Sequence, residues 1–127
     1  MKLRINGKSL RLRVSRSELA RFQAIGRIEE TIHFAAAPEA KLTYALESAS
    51  QPSPLKVRYG FNEVTVILSE DQVRIWADEG EVGVYAALEM GQEGSLDVIV
   101  EKDFACVDRS EEENGDAFPN PHAGVTC

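Results

Sequence analysis

The sequence predicts an α+β fold: two tandem ββαββ units, eight mostly antiparallel strands and two short helices. Three observations predict it. Short segments alternate apolar and polar residues, a serine-led helix start occurs twice, and both patterns stay in phase when the chain is slid along itself. Leu42 and Leu96 stand 54 positions apart (96 − 42). At that shift Lys2-Leu3-Arg4-Ile5 falls on Lys56-Val57-Arg58-Tyr59, and Leu10, Leu12 and Val14 fall on Val64, Val66 and Leu68. Ser15, Glu18, Leu19 and Phe22 meet Ser69, Gln72, Val73 and Trp76, while Gly26 and Ile28 meet Gly80 and Val82. Internal repetition of this kind marks one structural unit used twice.

Each element has its own justification. Residues 2–5 and 9–14 alternate with period two, as half-buried strands do, and Asn6-Gly7 between them is a hairpin turn. Ser15-Arg16-Ser17-Glu18 has the form of a capping box. Leu19, Phe22 and Ile25 then recur at helical spacing, and Gly26 supplies a left-handed stop. Residues 27–34 and 42–47 are strands again, joined by a loop over 35–40. The second unit repeats this with strands 56–59, 64–68, 82–88 and 96–101. Its helix runs from Ser69 to Gly80 and presents Val73, Trp76 and Ala77 on one face.

These patterns divide one domain, residues 1–127, into repeat one (1–48), a Pro-containing linker (49–54), repeat two (55–102) and a C-terminal extension (103–127). Open strand edges invite aggregation, and closure or face-to-face packing removes that liability. The expected architecture is therefore a pseudo-two-fold eight-stranded barrel or a two-sheet sandwich.

Composition narrows the function classes. A hydrophobic share of 43% and a charged share of 28% suit a water-soluble domain. The start alternates apolar and basic residues and lacks the apolar block of a secretory signal, and no apolar run reaches membrane-spanning length. The expected location is the cytoplasm, where Cys106 and Cys127 would be reduced thiols. A net charge of −7 argues against general nucleic-acid binding.

The charge is unevenly placed. Strand alternation puts Leu3, Ile5, Leu10, Leu12, Val14, Ile28, Ile32, Phe34, Leu42, Tyr44 and Leu46 on one face. The other face receives Lys2, Arg4, Arg11, Arg13, Lys56 and Arg58, along with Glu29, His33, Glu47, Asp97 and Glu101. Six cations sharing a face of hairpin strands could hold phosphate groups through charge-assisted, bidentate contacts. The competing reading pairs these cations with carboxylates across strands as a solvated surface.

A duplicated eight-stranded barrel with a charged interior resembles the CYTH, or triphosphate tunnel, superfamily. That resemblance covers the architecture of residues 1–101 and implies metal-dependent chemistry on triphosphate-bearing substrates. The first strand, Met1-Lys2-Leu3-Arg4-Ile5, carries no carboxylate pair, so no metal-binding glutamate is transferred.

The extension has no copy in the repeat. Phe104, Phe118, Pro119 and Pro121 predict that 104–107 and 118–121 pack on the domain, with 110–115 an exposed acidic loop. Cys106, His122 and Cys127 are ligand types suited to a transition metal, although their spacing matches no short zinc pattern. A Cys106–Cys127 disulfide, and Cys106 as nucleophile with His122 as base, are the other chemistries these residue types allow. The strings EKDFACVDR and DAFPNPH resemble a family of small bacterial proteins with a domain of unknown function, a resemblance that would run the full length and implies no activity.

The leading functional expectation is a small binding or accessory protein that takes an anionic, phosphate-bearing ligand on the basic strand face. The alternatives are a tunnel-type metal-dependent phosphohydrolase and an interaction module without ligand, for which a homodimer is one form. Neither a cofactor nor a catalytic residue is specified.

Overall fold

The computed structural model describes residues 1–104 and 115–119. The local signals in the sequence become elements in chain order: β1 (Lys2–Asn6), β2 (Ser9–Val14), α1 (Arg16–Ile25), β3 (Arg27–His33) and β4 (Lys41–Ala49). Then follow β5 (Leu55–Gly60), β6 (Glu63–Ser69), α2 (Glu70–Ala77), β7 (Gly83–Glu89), a 3-10 turn at Gly91–Glu93, and β8 (Ser95–Lys102).

The start of α1 satisfies every orphan backbone donor of its first turn. Ser15 Oγ accepts from Glu18 N–H, Glu18 returns a carboxylate oxygen to Ser15 N–H, and Ser15 C=O accepts from Leu19 N–H. The two remaining donors, on Arg16 and Ser17, go to the carbonyl and the carboxylate of Asp116 in the C-terminal extension. Gly26 ends the helix at φ 80°, with its N–H on Phe22 C=O. Only Leu19 and Phe22 are buried. Ile25, six residues past Leu19, is carried about 120° round the helix at roughly 100° per residue and is exposed.

The strands form two four-stranded mixed sheets, ordered β1-β2-β8-β7 and β3-β4-β6-β5. Outer pairings are antiparallel, whereas the central β2–β8 and β4–β6 pairings are parallel. The sheets do not close on each other, so the expected barrel is corrected to two separate sheets. The reason lies in the helices. Each helix carries the chain from one sheet to the other, and each sheet therefore joins a hairpin from before the linker to one from after it.

Two further expectations need correction. The first hairpin has Gly7-Lys8 as its loop, since Asn6 still pairs with Ser9, and Gly7 at φ 57° meets the demand for a left-handed first loop residue. The second helix stops at Ala77 with an extended Asp78, not at Gly80. The following strand therefore enters two residues late. Val84 is the residue paired with Val100, as Ile28 is paired with Leu46, and the expected match of Ile28 with Val82 fails.

Both sheets and both helices supply one core, with Trp76 and Phe22 its largest fully buried side chains. Trp76 Nε1–H donates to Val82 C=O at 3.2 Å, which satisfies the one polar atom that burial would otherwise orphan. No helix among the described residues is long and apolar enough to cross a membrane.

Candidate functional site

The register of β1 against β2 assembles the basic face. Lys2 lies opposite Arg13 and Arg4 opposite Arg11, and directly opposed residues of an antiparallel pair project from the same side. Leu3, Leu12 and Leu10 alternate to the core side, so the cations are fixed outward. Lys2, Arg4, Arg11 and Arg13 line a shallow groove of about 160 Å³. A second depression of about 110 Å³ continues it along Arg4, Asn6, Ser9 and Arg11.

Carboxylates reach part of this face. Glu101, on β8 opposite Arg13, approaches Arg11 Nε at 3.2 Å and Arg13 Nε at 3.7 Å. It also accepts from Tyr85 O–H at 3.2 Å, and burial together with the Glu101 charge raises the Tyr85 pKa. Lys2 pairs with Asp103 at 2.9 Å. Arg4 is exposed and forms no ion pair among the described residues.

The other two expected cations do not join the groove. Lys56 and Arg58 lie on β5, in the other sheet. There Arg58 reaches Glu47 at 3.4 Å, and Arg27 bridges over β4 to hold Glu47 at 2.9 Å and Glu63 at 2.5 Å. Burial pushes the Glu47 carboxyl up, but hydrogen bonds from Arg58 and Arg27 outweigh it and leave its pKa lowered. The Arg27 hydrogen bond holds Glu63 below its ordinary range too. Thr43, Ala45 and Thr65 beneath this network are buried, although alternation assigns them to the outer side. This patch is a satisfied charge network.

A model of a family of unknown function, DUF7009, matches residues 1–122. The chain belongs to that family. No curated protein and no solved structure matches it. The resemblance carried by EKDFACVDR and DAFPNPH thus holds at the level of the family, and DUF7009 membership brings no activity with it.

The DUF7009 match takes in most of the C-terminal extension, and part of that segment is on the fold. Phe118 N–H donates to Asp103 C=O at 2.7 Å, Phe104 and Phe118 form an isolated bridge, and their rings meet edge to face at 6.2 Å. Cys106, His122 and Cys127 lie outside the described residues. Among those that are described, no cluster of three or more His, Cys, Asp or Glu could hold a metal.

Sequence reasoning missed Asp116 as a helix cap and Lys102 as a buried cation. For Lys102 a signal existed. The alternation through Val98 and Val100 sets position 102 on the core side, where an ionisable residue calls for explanation.

Proposed function

We propose that this protein binds a small anionic, phosphate-bearing ligand on the outer face of the β1–β2 hairpin. One observation carries the reading: four cationic side chains from adjacent strands line one groove, and Arg4 among them is exposed and has no ion pair among the described residues. An exposed guanidinium beside three further cations offers bidentate donors to phosphate oxygens. Glu101 and Asp103 offset part of the charge, which suits a compact ligand better than a polyanionic lattice such as nucleic acid. The tunnel-type hydrolase lacks its premise, because the sheets are not closed and the face they share is apolar.

The same reading takes the chain as a duplication with pseudo-two-fold form. Supporting it, Ser9 faces Asp97 in one sheet and Glu63 faces Thr43 in the other, positions that a shift of 54 interchanges (9 + 54 = 63; 97 − 54 = 43). The helix caps Ser15 and Ser69 differ by the same 54.

The test is thermal denaturation with millimolar tripolyphosphate, since a ligand selective for the folded state raises Tm. A saturable rise that Arg4→Ala with Arg11→Ala removes, and that Lys56→Ala with Arg58→Ala preserves, is the expected result. A rise abolished equally by both double variants would indicate general charge screening and defeat the assignment. A second reading, an interaction module without ligand, is favoured by the exposed aromatics Phe34, Tyr59 and Phe61. No rise with tripolyphosphate would leave that reading in possession.

A further inference from the structure

A second concavity lies beside the helices, with a lining that shares no residue with the basic groove, although Asp103 between its Lys102 and Phe104 is the partner of Lys2. It encloses about 440 Å³ and is lined by Arg16, Ala77, Glu79, Lys102, Phe104, Phe118 and Pro119. That volume falls in the range of small-molecule sites, about 300–1,000 Å³. Its lining combines four apolar or aromatic residues with three charged ones, Arg16, Glu79 and Lys102.

Lys102 is the group that needs a reason. It is 4% exposed, yet its ammonium forms no ion pair among the described residues. Nζ donates to Asp78 C=O at 2.7 Å and sits 5.5 Å from the centre of the Phe118 ring. An ammonium has three donors, so two have no acceptor among the described residues. Burial lowers the pKa of this amine, and the charges of Asp78, Glu81 and Glu79 only partly restore it. A buried cation so incompletely paired is costly unless another group completes it.

We infer that this cleft binds a small monocarboxylate with an aromatic or compact apolar body, its carboxylate on Lys102 and its body against Phe104 and Phe118. Two free ammonium donors match the two oxygens of one carboxylate. Arg16 is exposed at the cleft and adds a second cation. Glu79 also lines the cleft, and its charge, which acts on Lys102, repels a second negative charge and so selects a monoanion over a phosphate ester. The edge-to-face pair of rings offers an apolar wall to the body of the ligand.

Benzoate is the probe, with benzyl alcohol as its uncharged counterpart and inorganic phosphate as the polar anion. At benzoate about tenfold above its Kd, Tm of the full chain should rise by roughly 3–6 °C, with no comparable rise from the other two compounds. Lys102→Met should abolish the rise, Arg16→Gln should weaken binding severalfold, and Arg4→Ala should leave it intact. Should Lys102→Met fail to fold, aromatic NMR of the unaltered protein decides. Benzoate must then shift the Phe104 and Phe118 ring resonances, and benzyl alcohol must not. Equal shifts with benzyl alcohol, or no response to benzoate at 20 mM (about the limit of useful affinity), would overturn the assignment.

Discussion

A β-carbon added to Gly83 would lie 2.6 Å from the carbonyl oxygen of Val100 and 3.0 Å from the Glu101 side chain. The backbone angle at this glycine is not left-handed, so the need is for room and not for conformation. The nearest obstacle is backbone of the neighbouring strand and cannot swing aside. Gly83→Ala should therefore destabilise by about 1–3 kcal/mol, the range for overpacking, as read from urea denaturation. An unchanged midpoint would mean that the β7 edge relaxes at no cost. At Gly26 the constraint is the opposite kind, φ 80° in open space.

Among the elements, α1 has its first turn completed by a distant part of the chain. Its own Ser15 and Glu18 satisfy the pairs the capping box provides for, and Asp116, 99 residues beyond Ser17, takes two more donors. The Ser17 hydroxyl also donates to Asp116, and these hydrogen bonds lower the Asp116 pKa. Asp116→Ala should cost about 1 kcal/mol, in the ordinary range for a cap, and Ser15→Ala a similar amount. What separates the two is proteolysis. Asp116→Ala should speed cleavage within residues 105–119, whereas Ser15→Ala should not. Equal cleavage rates in both variants would show that Asp116 does not tether the extension.

At the scale of the whole molecule, two sheets built from exchanged hairpins are tied together by charge near the first residue. The Met1 amine pairs with Glu18 and, at 2.9 Å, with Glu30, while Tyr44 O–H donates to Glu30 at 2.9 Å and to Met1 C=O at 3.2 Å. Burial pushes the Glu18 carboxyl up, but hydrogen bonds from the Met1 amine and Ser15 N–H outweigh it, so its pKa is lowered. A carboxyl lowered on folding contributes stability that is present above its ordinary value of 4.5 and lost as pH falls through the folded value. Burial lowers the Met1 amine, yet the hydrogen bonds it donates to Glu18 and Glu30 leave it raised above 8.0. Its share is complete below that pH and lost as pH rises through the folded value. Tyr44, pushed up to about 12 by burial and by Glu30, adds a loss above pH 10. Tm should thus be level between about pH 5 and 8 and fall on either side. Glu18→Gln should lower the plateau and converge with the unaltered protein in acid. Parallel curves would remove Glu18 from the account.

The sequence by itself determined the order and type of the elements and the two faces of β2 and β8, though not the burial of Thr43, Ala45 and Thr65 or the exposure of Ile5, Ile32 and Phe34. Period-two alternation assigned Leu10, Leu12, Val14, Val98 and Val100 to the core, and it set Arg4, Arg11 and Arg13 outward, because successive strand residues must point to opposite sides. Ser15 and Gly26 fixed the ends of α1, because capping is local chemistry. Which strands neighbour each other was decided only in the tertiary structure. Alternation is blind to partners, so it grouped Lys56 and Arg58 with the cations of β1 and β2 although they lie on the other sheet. The parallel joins β2–β8 and β4–β6 arise because each helix moves the chain between sheets, a choice no single segment encodes. The same holds for Lys102 and Asp116. Period two can mark a lysine as facing inward, but its surroundings of Asp78 and Phe118, and the reach of Asp116 to α1, exist only after the chain has folded.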